Sequence, residues 1–173
     1  MIKYSITKRG YIMCKIPTSP FLVQKGRYEG HAIETLIFHE PAVVFDLLKK
    51  GSKELNDHID SLFKIGEDLP TVPFCSCGQH RVKHFTIKDE KIRYDLMSCH
   101  QDECVGELIQ KIGHGAIYPI KLSTLNLFRN DAKQQGKVGI FLKNVLGIGR
   151  YARPDDILGK IVENHSAKLA LSA

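Results

Sequence analysis

The sequence predicts an α+β protein, and three observations carry that prediction. Phe85 and Ile87, then Ile92, Tyr94 and Leu96, alternate with polar residues on either side of Lys88-Asp89-Glu90-Lys91, the pattern of a β-hairpin. Apolar residues recur at helical spacing in the first third (Leu55, Ile59, Leu62, Phe63) and in the last (Leu125, Phe128, Val138, Phe141, Leu142). The stretch GEDLPTVP, residues 66–73, reads as a linker. The chain therefore divides into a strand-helix module (1–69), a hairpin segment (70–106) and a helical segment (107–173).

Each element has a local reason. Tyr4–Ile6 and Tyr11–Ile16 read as short strands around Arg9-Gly10, with Cys14 a small core residue on the second. Pro17 and Pro20 interrupt the chain before a further strand at Phe21–Val23. Gly26–Gly30 forms a turn, and a helix begins near Ile33. Pro41 suits the first turn of the next helix, where its missing N–H costs nothing; that helix buries Val44, Leu47 and Leu48 and stops at Gly51. Ser52 caps a third helix. Helix resumes from Glu107, and a helical stretch from Thr124 to Leu146 is expected to break at Gly136 and Gly139. Gly147-Ile148-Gly149 ends it. Pro154-Asp155-Asp156 opens the last helix, with the aspartates at the positive end of its dipole and Ile157, Leu158 and Ile161 on one face.

The 173 residues are 43% hydrophobic and 25% charged, a globular composition rather than a disordered one. No apolar run approaches the roughly eighteen residues of a membrane span, and the N-terminal stretch lacks the apolar core of a signal peptide. These features predict a cytoplasmic protein without membrane association, in which thiols stay reduced. The net charge of +6 is uneven. Residues 1–70 hold ten Lys/Arg against nine Asp/Glu, residues 71–110 five against six, and residues 111–173 ten against four. The positive excess of the last third favours a polyanion such as nucleic acid.

Four of the five cysteines fall in two close pairs, Cys75-x-Cys77 and Cys99-x4-Cys104, at either end of the expected hairpin. Two thiolate pairs brought together by a short spacer suit tetrahedral Zn2+. Gly78 supplies the positive φ that a turn after the first pair needs. The segment resembles a zinc ribbon, a hairpin between two cysteine-bearing turns. The commoner spacing is C-x2-C, and the spacings of one and four here leave His80, His84 and His100 as alternative ligands. A closed four-thiolate site has no position for water, so such a metal braces the fold and does not catalyse.

Lys25–Leu36 (KGRYEGHAIETL), followed by Glu40-Pro41 and an apolar helix, resembles the C-terminal module of exodeoxyribonuclease X and the small family of quorum-sensing-regulated virulence factors. The resemblance covers residues 20–65. It implies a small α+β module that accompanies nucleases and associates with nucleic acid. The family places Tyr and Trp in the helix after the proline, where this chain has Val43, Val44 and Phe45 and no Trp anywhere. The catalytic exonuclease domain has no counterpart here, so no nuclease activity is carried over. Arg27 and Tyr28 sit at the tip of the glycine turn, where a guanidinium meets phosphate and a ring stacks on a base.

Leu146-Gly147-Ile148-Gly149-Arg150 is similar to the G-x-G turn of a helix-hairpin-helix, whose amides hold a DNA phosphate. Lys143, Arg150 and Arg153, with Lys137 and Lys160, are the candidate basic face. Acidic pairs such as Asp89-Glu90 and Asp102-Glu103 are read as solvated turn residues. The sequence holds no P-loop, no HExxH and no nucleophile elbow. The expected function is a non-enzymatic, zinc-containing accessory protein of replication, repair or transcription that binds nucleic acid, DNA more than RNA. The alternative is a zinc-stabilised protein-protein adaptor docking on a larger enzyme complex.

Overall fold

The computed structural model describes residues 3–5, 14–67, 69 and 74–171, with side chains for 16–67, 69 and 74–166. It is an α+β arrangement of helices around a small antiparallel sheet. The elements run β1 (Lys3–Ser5), β2 (Cys14–Ile16), α1 (Ile33–His39), α2 (Pro41–Lys50), α3 (Lys53–Ile65), β3 (His84–Lys88), β4 (Lys91–Ser98), α4 (Asp102–Ile112), β5 (Ala116–Pro119), a 3-10 helix (Leu122–Phe128), α5 (Ala132–Val145) and α6 (Pro154–Leu171). β1 and β2 pair antiparallel, and β3 is the centre of the sheet β4-β3-β5. The readings of Arg9-Gly10 and most of the 66–73 linker fall outside the described residues, as does the Cys14 side chain.

Local chemistry sets most boundaries. Gly26 and Gly30 both take positive φ (91° and 79°), so the chain from Phe21 turns back on itself. Val23 N–H donates to His31 O at 3.0 Å, and Ile33 N–H to Phe21 O at 2.9 Å. The expected strand at Phe21–Val23 shrinks to one bridge, Leu22 with Ala32, because α1 begins at Ile33 and removes the partner strand. Pro41 opens α2, and the Ser52 hydroxyl accepts from Leu55 N–H at 3.3 Å to cap α3. Asp89 and Glu90 both have positive φ (51° and 58°), the backbone of a tight two-residue hairpin turn.

Two boundaries differ from expectation. The helix expected from Glu107 begins at Asp102, and Asp102 and Glu103 occupy its first turn, where the dipole favours acids. The break expected at Gly136 and Gly139 lies at residues 129–131, and α5 runs through both glycines. Asp131 starts α5 by accepting from Gln134 N–H at 3.0 Å. Gly139 serves close packing: a Cβ there would stand 2.6 Å from the Phe38 carbonyl oxygen at the end of α1. β5, hidden in the sequence between Gly115 and Ile120, pairs with β3 from His84↔Pro119 to Ile87↔Ala116.

One apolar cluster takes residues from all three sequence segments. It includes Val23, Ile37 and Ile59, then Val82 and Phe85, then Leu125, Phe141 and Ile161. Phe85 is the pivot between sheet and helices, with ring centroids 4.8 Å from Phe141 and 5.6 Å from Tyr118. Glu34, fully buried on α1, fastens three pieces of chain. It accepts from Phe21 N–H at 3.2 Å and meets His58 Nε2 of α3 at 2.5 Å.

Substitutions at two glycines on one helix should separate in urea unfolding. Gly139→Ala pushes α1 from α5 and costs about 1–3 kcal/mol. Gly136→Ala meets nothing within 4 Å and gains up to about 1 kcal/mol of helix propensity. Glu34→Ala strands the Phe21 amide and the His58 ring, and costs at least about 2 kcal/mol in the same assay.

Candidate metal centre

The first cysteine pair sits on a tight turn closed by an antiparallel bridge between Phe74 and Arg81. Within it, Cys75 N–H donates to His80 O and Gly78 N–H donates to Cys75 O, both at 2.8 Å. Gly78 has the expected positive φ of 71°. The second pair is not on a turn. Cys99 follows the last residue of β4, and Cys104 lies in the first turn of α4. The two-turn geometry of a ribbon is thus replaced on one side by a strand-to-helix junction. The spacing of four matches this: Cys99 leaves the sheet, residues 100–103 enter the helix, and Cys104 turns back.

These elements bring Cys75, Cys77, Cys99 and Cys104 together, with all four sulfur atoms within 4.8 Å of one another. A tetrahedral metal with metal–sulfur bonds of about 2.3 Å places its sulfurs about 3.8 Å apart. The cluster is within a small contraction of that figure. Cys75 and Cys99 are buried, Cys104 half-buried and Cys77 exposed. The site therefore has a dry inner side and one open edge.

The three histidines frame the cysteines without entering the cluster. His84 Nδ1 is engaged with the Cys99 carbonyl at 3.1 Å. His80 Nδ1 approaches the Cys77 sulfur at 4.0 Å, and the His100 ring packs edge-on against His80, centroids 5.6 Å apart. Their role is around the sulfurs: His84 fixes the Cys99 backbone, and His80 supports the outer thiol.

Without a cation the four thiols ionise unevenly. The Gln79 amide and the His80 side chain hold Cys77 down to about 6. Burial opposes ionisation of Cys75, but the amides of Cys77 and Cys99 outweigh it and hold this thiol below its ordinary value. Burial raises Cys99. Hydrogen bonding to Cys99, then burial, pushes Cys104 up to about 12. Two sulfurs favour charge because amides donate to them, and two resist it because of burial and thiol–thiol hydrogen bonding. A metal cation at the centre would favour the ionised form of all four sulfurs.

The five residues expected to meet nucleic acid come from two parts of the chain, the loop before α1 and the stretch from the end of α5 to the start of α6. Arg27 and Tyr28 lie in the 23–33 loop, where the Arg27 guanidinium is 5.5 Å from the Tyr28 ring centroid and the ring packs on His31 and the core. Arg153 is engaged by Asp156 at 3.2 Å, which raises its pKa. Lys137 donates to the Glu90 carbonyl at 2.5 Å, and Lys160 pairs with Glu163 at 2.8 Å. Lys143 and Arg150 have no carboxylate within 4 Å among the described residues, and the two line one groove. The sequence missed Glu34 and His58 as a buried pair, since their separation in the chain gives no local signal.

The site defines a class: a small knuckle, hairpin and helix closed around four cysteine sulfurs. No protein-family model, no curated protein and no solved structure matches the chain. Among the described residues, no helix is long and apolar enough to cross a membrane.

The purified chain should carry a single metal ion, measured by inductively coupled plasma mass spectrometry. Cys75→Ser and Cys99→Ser, which remove the buried sulfurs, should each abolish that stoichiometry. Metal removal with a chelator should collapse the dispersed amide NMR signals of residues 74–104. Retention of those signals in metal-free protein would show that the sulfurs are held together by the chain alone.

Proposed function

We propose that the four cysteines hold zinc and that the chain is a non-enzymatic nucleic-acid-binding protein. The four-sulfur donor set selects zinc or an iron–sulfur cluster, and four sulfurs within 4.8 Å of one another suit a single ion. Zinc in a closed site supplies folding free energy to a segment too small to fold alone, and leaves no open position for catalysis.

The observation that supports nucleic acid is the unmatched charge of the last third. Five of its ten cations, Lys111, Lys121, Lys133, Arg153 and Lys160, pair with a carboxylate, whereas Arg129, Lys143 and Arg150 have none among the described residues. Their charge is left to a polyanion, and backbone phosphates are the simplest source of regularly placed negative charge. The resemblance of residues 20–65 to the exodeoxyribonuclease X C-terminal module points the same way. Association with replication, repair or transcription machinery, and a preference for DNA over RNA, follow from that reading.

A second reading, a protein-protein adaptor, is favoured by one feature. Phe74, Tyr94 and Ile109 are exposed, and the first two line a cleft of about 210 Å³ beside Cys104.

Fluorescence anisotropy of labelled single- and double-stranded DNA and RNA tests the first reading. Binding at low salt that weakens steeply toward physiological salt is the expected result. Arg150→Glu should weaken it more than Arg153→Glu, whose guanidinium is already held by Asp156. No binding to any strand at low salt would overturn nucleic-acid binding and leave the adaptor reading.

A further inference from the structure

The groove that holds Lys143 and Arg150 lies where α1 ends against α5 and the residue 147–150 loop. It is a cavity of about 400 Å³ lined by Phe38, His39, Gly136, Ile140, Lys143, Asn144, Ile148 and Arg150. That volume is in the range of small-ligand sites, about 300–1,000 Å³, which are mainly apolar with a few placed polar groups.

Lys143 is the unusual member. Its side chain is buried, with the residue 7% exposed, yet no carboxylate answers it among the described residues. The covered part is the stem, and the ammonium opens on the groove. The C-terminal turn of α5 favours a cation there but supplies no counter-charge. Arg150, also without a carboxylate partner, lies on the same groove. His39 in the wall is held below its ordinary pKa by burial and by the Lys143 charge, against the opposing pull of Glu40. The groove thus carries two fixed positive charges and a wall histidine inclined to be neutral.

The remaining lining is apolar. Phe38 and Ile148 are buried, while Ile140 is 64% exposed on the same groove. A ligand that satisfies both sets of groups has a multiply charged anionic head and a flat, weakly polar body. A phosphate monoester, with three free oxygens and up to two negative charges, meets a lysine and an arginine together more fully than a carboxylate with two oxygens and one charge.

We infer that this groove binds one nucleotide unit, its phosphate on Lys143 and Arg150 and its base against Phe38, Ile140 and Ile148. The inference rests on the nucleic-acid reading for its choice of ligand and deepens it. A site of this size takes a single unstacked nucleotide and not a paired one, so single strands are preferred over duplex. The nucleotide comes either free or as part of a strand.

Two variants isolate the groove. Lys143→Met keeps the buried stem and removes the charge. Gly136→Leu fills the groove from α5, where an added Cβ meets nothing within 4 Å and the backbone has no positive φ, so the fold is preserved. Circular dichroism confirms folding of both. The probes are dTMP, followed by calorimetry, and a dye-labelled single-stranded dT10, followed by anisotropy, with thymidine and inorganic phosphate as competitors.

The expected result is that wild-type protein binds both probes, that dTMP competes better than thymidine or phosphate, and that each variant weakens dTMP at least about tenfold. Binding of dTMP without binding of dT10 supports the groove and overturns strand binding. Binding of dT10 unchanged in both folded variants overturns the groove and leaves strand binding in place. Binding of neither probe overturns both.

Discussion

The tightest constraint on the middle segment is the convergence of four sulfurs. Cys75 and Cys77 come from a turn, Cys99 from the end of β4 and Cys104 from the first turn of α4, so one small cluster joins three kinds of element. The four thiols ionise unevenly: the Gln79 amide and His80 hold Cys77 to about 6, while hydrogen bonding to Cys99 and burial push Cys104 to about 12. A cation at the centre would favour all four thiolates and would tie the turn, the end of β4 and the start of α4 together.

The rest of the fold depends on that hairpin being in place. β3 carries Phe85 into the helical core against Phe141, and its other edge receives β5. The hairpin turn is tied to α5 by Glu90, which pairs with Lys133 at 2.7 Å and accepts from Lys137 through its carbonyl. α5 in turn packs on α1 through Gly139 and carries Lys143 to the groove. The cysteine cluster and the basic groove are thereby connected through one sheet and one helix. The charge pattern differs along the way, since Lys133 and Lys137 both meet Glu90 of the hairpin, and the groove cations meet no carboxylate among the described residues.

Much of this was legible in the sequence, for physical reasons that can be named. Local rules located α1, α2 and α3: Pro41 at a helix start, Ser52 as a cap, and paired glycines at 26 and 30 each act within a few residues. The hairpin was legible because alternation and a polar turn are also local. The cysteine pairs announced their convergence by spacing, but not that the second pair would span a strand end and a helix. That junction depends on how far α4 extends toward its N-terminus, and Asp102-Glu103 reads equally as a turn. β5 was missed because a four-residue strand ending in proline has no pattern of its own; only β3 makes it a strand. The glycines of α5 misled because propensity penalises them, while tertiary contact with Phe38 explains Gly139. Lys143 was named for a basic face, and that its stem is packed into the wall of a groove was not legible, because it depends on how α1 meets α5.

X-ray absorption spectroscopy at the metal edge of the purified full chain tests the central claim most directly. The account predicts a zinc edge with a first shell of four sulfur atoms at about 2.3 Å and no nitrogen or oxygen. A mixed sulfur and nitrogen shell, or a chain that folds with no bound metal, would contradict it.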